Sequence, residues 1–124
     1  MNILAIETSC DDTAVAILKI KNLKFEILSN IVSSQVKIHR KWGGVYPALA
    51  KREHQNNLMP VLKKALGEAN PLKRTSKKHT VSGIKYKTLE EILQREKLLI
   101  RKLKRFIKSY KKPKIDLIAV TVGP

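Results

Sequence analysis

Glu7-Thr8-Ser9-Cys10-Asp11-Asp12-Thr13 packs three hydroxyls, a thiol and three carboxylates into seven consecutive residues. Hydroxyls at Thr8, Ser9 and Thr13, together with the N–H groups of a tight turn, are the donors that phosphate oxygens require. A carboxylate beside a phosphate works through a metal ion or water, or as a general base, and Asp11 and Asp12 are the candidates for that role. The same residues would also make a plain polar hairpin loop. Cys10 is expected to be a packed thiol rather than a reactive one.

The second stretch that could do chemistry is HRKWGGVYPALAKREH, residues 39–54, which holds two of the three histidines. His39 and His54 lie fifteen residues apart across a Gly-Gly pair with no third ligand evident, which is not a local metal spacing. Each is instead expected to hydrogen-bond the core or a loop and so position the turn ahead of the next helix. His79 falls in a polar tract and is expected to be solvated. Trp42, next to Arg40 and Lys41, has the make-up of a base-stacking site, but a Trp packed under the glycine turn is the stronger expectation.

A formal net charge of +16 over 124 residues is the compositional anomaly. It is local: residues 63–114 hold 18 of the 26 Lys and Arg against four acids, Glu68, Glu90, Glu91 and Glu96. So dense a positive surface attracts polyanions, nucleic acid first and anionic lipid second, although a solvated face would look the same. One cysteine excludes an internal disulfide and suits a reducing compartment. No apolar run is long enough for a signal peptide core or a membrane span, and a cytoplasmic protein without a membrane partner is expected.

These residues must be carried by regular elements. The apolar runs at 2–6 and 13–18 read as strands joined by the ETSCDD turn, and 24–33 as a third antiparallel strand with Phe25, Ile27 and Ile31 on one side. Pro47 suits the first turn of a helix running to about Gly67, kinked where Pro60 removes the bond to Asn56. Residues 70–87 have no usable period and read as a loop. Thr88 and Glu91 form a capping box ahead of one amphipathic helix, 88–110, whose other face carries Arg95, Lys97, Arg101, Lys102, Lys104, Arg105 and Lys108. The β-branched run at 115–122 reads as a buried strand of a mixed or parallel sheet.

Three blocks, ILAIETSCDDTAVAIL at 3–18, SSQVKIHRKWGGVYPALAKREHQNNLMPVL at 33–62 and IDLIAVTVGP at 115–124, together resemble the opening of the TsaD family, also called Gcp. The resemblance implies an α/β fold: an incomplete N-terminal lobe, residues 1–124, of an actin-like, sugar-kinase-like two-lobe ATPase. It would hold a three-stranded meander, a kinked helix and a further strand. It also implies an acyltransferase-type enzyme of tRNA processing. The reaction moves threonylcarbamoyl from threonylcarbamoyl-AMP to N6 of the adenosine 3′ of the anticodon. The first hairpin turn then approaches the nucleotide phosphates. Ser9 becomes the candidate for phosphate or carbamoyl contact and Asp11 for general base or water-mediated metal contact, with Thr8, Cys10, Asp12 and Thr13 in the same loop. Asp12 stands where the family usually has Glu.

By the same resemblance one iron or zinc ion is expected, held by a downstream histidine pair and a distant Asp, so that no metal ligand falls in this chain. The expected partners are tRNA, a non-catalytic TsaD paralogue and a P-loop ATPase subunit. The paralogue shares the REH of residues 52–54, so His54 is no sign of catalysis. Residues 70–114 stand where the family has a short connection, and are expected to be a basic insertion. Its positive face is a candidate tRNA-binding surface, with a subunit-docking helix as the rival. The chain alone is expected to be inactive. The alternatives are a split or degenerate TsaD-like binding subunit and, less well matched, another actin-like phosphotransferase.

Overall fold

The computed structural model describes residues 1–70, 72–74 and 86–122. The chain forms two compact units, Met1–Pro71 with Lys114–Pro124, and Leu72–Pro113.

In the first unit, alternating apolar residues produce strands β1 (Asn2–Glu7), β2 (Asp12–Lys21) and β3 (Lys24–Ser34), and β4 (Leu117–Val120) completes a sheet of order β3-β2-β1-β4. The β1–β2 and β2–β3 pairs are antiparallel and β1–β4 is parallel, giving a mixed sheet. The β2–β3 hairpin closes through Asn22 and Leu23, both with positive φ (51° and 61°), a backbone twist that matches that of the flanking strands. A short helix α1 (Val36–His39) and a 3-10 turn at Arg40–Trp42 end at Gly43, whose φ of 69° makes it a left-handed cap. Helix α2 (Pro47–Ala69) starts with Pro47 in its first turn, as expected, and runs through Pro60.

Helix α2 packs on β2 and β3. Leu4, Val15 and Ile17 of the sheet and Ala50, Met59, Val61, Ala65 and Leu66 of the helix form the buried apolar core. A bulge at Leu28 shifts the β2–β3 register between Ile17 and Leu18, so Ser29 rather than Ile27 turns inward. The expected grouping of Phe25, Ile27 and Ile31 on one side therefore fails: Phe25 and Ile27 are exposed and Ile31 lies on the helix side of the bulge. The strand expected at 115–122 in a mixed or parallel sheet forms as β4, parallel to β1, but its expected burial does not hold, since all four of its residues are exposed. It is an edge strand with one neighbour, β1, while α2 covers β2 and β3.

In the second unit the single helix expected at 88–110 is two, α3 (Tyr86–Ile92) and α4 (Lys97–Ser109). The break falls at residues 93–96, where the apolar spacing lapses after Leu93, and is turned by the Glu96 N–H donating to the Leu93 carbonyl (2.8 Å). The Lys104 ammonium pairs with the Glu90 carboxylate and lies 5.6 Å from the centroid of the Tyr86 ring. Unbroken, one helix would hold residues 90 and 104 about 21 Å apart along its axis. Thr88 lies inside α3 rather than ahead of it. Most of the loop expected at 70–87, His79 included, lies outside the described residues.

Candidate phosphate-loop site

The Glu7–Thr13 stretch lies at the carboxyl end of β1, next to the carboxyl end of its parallel neighbour β4. The Thr121 N–H donates to the Ile6 carbonyl (3.1 Å) and the Thr8 N–H to Thr121 Oγ1 (3.3 Å), tying the two ends together. Open α/β sheets take their ligands at such carboxyl ends. The turn reverses at Cys10, whose φ of 47° is left-handed. Among the described residues no partner accepts the N–H of Cys10 or of Asp11. Successive unpaired N–H groups at a left-handed residue make an anion-binding concavity.

The expected site residues divide sharply within this turn. Ser9 directs its hydroxyl proton to Glu7 Oε1, and its N–H donates to the same oxygen at 2.5 Å. Those Ser9 bonds are the main cause holding the Glu7 carboxyl below the usual glutamate range. Thr13 is wholly buried and faces the core rather than the loop opening. Asp11 gives its carbonyl to the Gln35 N–H (2.7 Å). Asp12 has a buried Oδ1 without a hydrogen-bond partner. Cys10 is exposed, which corrects the expectation of a packed thiol: a left-handed tip residue projects from the turn rather than into the core.

What sequence reasoning missed is the support beneath the turn. His54 of α2 accepts at Nδ1 from the Thr13 hydroxyl (2.8 Å) and from Gln35 Nε2 (3.3 Å), and donates from Nε2 to the Cys10 carbonyl (3.2 Å). Gln35, itself fully buried, accepts at Oε1 from His39 Nε2 (2.9 Å), and His39 Nδ1 accepts the Tyr46 N–H (3.2 Å). The backbone donor at Tyr46 requires a proton-free Nδ1 on His39, and the Cys10 carbonyl requires a proton on His54 Nε2. Both rings are thereby set as Nε2–H tautomers. One chain of side chains thus joins the start of α2 to the tip of the β1–β2 turn. Trp42 is 66% exposed and stacks on Tyr46 (centroids 5.6 Å apart), so it does not pack beneath the glycine turn.

Among the described residues no three His, Cys, Asp or Glu side chains converge to hold a metal ion. His39 and His54 are committed to Gln35, and these residues do not form a site for iron or zinc. No helix is long and apolar enough to cross a membrane. In the second unit, Lys97, Arg101, Lys104, Arg105 and Lys108 line one groove along α4. Arg95 lies outside α4, in the turn before it. Lys102 is not among the residues that line this groove.

Fold and turn together define the class: a mixed α/β sheet unit with an anion-suited turn at the carboxyl end of its parallel strand pair. The family comes from comparison with known proteins. The family model described as TsaD, tRNA N6-adenosine threonylcarbamoyltransferase, matches residues 26–77. A tRNA N6-adenosine threonylcarbamoyltransferase from Persephonella marina is 59% identical over 70 residues, covering 56% of this chain and 20% of the relative. Its counterpart from Christiangramia forsetii is 56% identical over 70 residues, covering 56% of this chain and 19% of the relative. Over its N-terminal part the chain is similar to the TsaD family. The matched segment spans about a fifth of the length of these curated relatives.

Proposed function

We propose that this chain contributes the nucleotide-facing turn of a TsaD-type transferase in tRNA modification, within an actin-like lobe. In that reaction threonylcarbamoyl passes from threonylcarbamoyl-AMP to N6 of an adenosine in tRNA. The observation that carries the reading is the identity to named transferases across the segment holding both the turn and its His54 support. The Cys10 and Asp11 N–H groups meet the phosphate or carbamoyl oxygens of the donor. Ser9 acts beside them by fixing Glu7, its oxygen remaining an acceptor. The Asp11 carboxylate is the base or water-holding group at the turn. A metal ion bound elsewhere in the full enzyme would supply Lewis-acid charge stabilisation. Residues 70–114, which hold the compact unit Leu72–Pro113, are read as an insertion in that lobe.

Two measurements test this reading. Titrating the labelled chain with threonylcarbamoyl-AMP, or with AMP, should shift the amide resonances of residues 9–12 in a nitrogen-15 correlation spectrum. Unmoved resonances there would reject the turn as the donor site. The purified chain given threonylcarbamoyl-AMP and tRNA should show no transfer, and turnover by it alone would disprove the need for further lobe sequence.

A further inference from the structure

Helix α4 carries Lys97, Arg101, Lys102, Lys104, Arg105 and Lys108 and no acidic residue. At 100° per residue, positions 97, 101, 105 and 108 fall within one 80° sector, and all four side chains are exposed. Lys104 lies about 20° beyond the edge of that sector and is committed to Glu90 and the Tyr86 ring. Like charges at i, i+4 spacing destabilise a helix, so the stripe costs stability that a bound polyanion would return. The opposite side of α4 selects between polyanions. Leu99, Leu103, Phe106 and Ile107 are only partly accessible, and Phe106 packs against Tyr110 with ring centroids 5.1 Å apart. A helix that lies in a membrane surface needs its apolar side free to enter the lipid, and here that side is only partly accessible. Two guanidinium forks one helical turn apart suit a run of phosphates, each able to take one in two-point contact.

We propose that the Lys97, Arg101, Arg105 and Lys108 face of α4 binds the phosphate backbone of RNA. The choice of transfer RNA as the probe rests on the tRNA-modification reading. The test measures affinity of the chain for unmodified tRNA over a salt series. The comparison is with a variant carrying Lys97→Gln, Arg101→Gln, Arg105→Gln and Lys108→Gln. A second variant removes the same charge from the other unit, through Lys19→Gln, Lys24→Gln, Lys37→Gln and Lys41→Gln. The α4 variant should bind at least tenfold more weakly, on the order of one decade, and lose about 3 of the slope of log K against log salt. The control should keep most of both.

Equal losses in the two variants would reduce the effect to net charge and overturn the proposal, as would tighter binding to phosphatidylserine vesicles than to tRNA. Helix content by circular dichroism guards against unfolding. If the fourfold variant loses helix, Arg101→Gln with Arg105→Gln should show the same slope change at about half size, and an unchanged slope there rejects the surface. Failure of the turn resonances to shift with nucleotide would remove the transferase reading and leave this surface standing. An unchanged salt slope with intact turn shifts would remove only the surface.

Discussion

Removing the His54 imidazole strands two groups at once: the Thr13 hydroxyl, which has no access to water, and the Gln35 amide. His54→Ala should therefore destabilise the fold by about 1–3 kcal/mol in urea unfolding. It should also speed hydrogen exchange at Cys10–Asp12, whose tip it holds through the Cys10 carbonyl. Glu7 gives a pH signature. Its carboxyl is held below the ordinary glutamate value, chiefly by the Ser9 hydroxyl and N–H. A depressed folded value adds stability that is complete above the unfolded pKa and lost as pH falls through the folded one. The melting temperature of the natural chain should thus fall more on acidification through the carboxylate range than that of Glu7→Gln; parallel curves would refute the linkage. The sequence offered Glu7 and His54 in plain view, but their partners were not legible. Thr13 is 41 residues from His54, and nothing in the spacing says which loop a histidine on a helix face will hold.

Among the elements, the strands and α2 were readable because alternation and Pro47 are local signals. Three misreadings have separable causes. The bulge at Leu28 reverses which residues of β3 face inward, and a one-residue slip of that kind leaves no mark in an alternating pattern. The β-branched run ending the chain signals strand, not burial, and position at the sheet edge decides the rest. The α3–α4 break rests on one polar interval, 94–96, short enough to pass for the exposed side of a continuous helix. The β2–β3 hairpin supplies a test at this scale. Leu23, with a φ of 61° and full exposure, is a branched side chain in a conformation that glycine adopts freely. Leu23→Gly should raise stability by about 0.5–1 kcal/mol, seen as a higher melting temperature, whereas Leu23→Ala should not.

For the whole molecule, the family match reaches residue 77, a few residues past Leu72, where the second unit begins. The chain returns to the first unit under firm anchorage: Asn2 Nδ2 donates to the Lys114 carbonyl (2.9 Å) and the Asn2 N–H to Asp116 Oδ2 (2.6 Å). Replacing residues 72–113 with a short Gly-Ser linker should leave hydrogen-exchange protection in β1, β2 and β3 intact. Collapse of that protection would show the units to be inseparable. The excess charge was legible from composition alone; its sorting into one stripe, with Lys104 withdrawn to Glu90, needed the fold.

The projection of Cys10 from the tip of the turn has a practical consequence. It is the sole thiol of these 124 residues and stands clear of the core, so the natural sequence accepts a single maleimide dye or spin label without mutagenesis. Such a reporter would sit against the two N–H groups proposed to grip the donor, and a ligand arriving there would change its brightness or mobility directly.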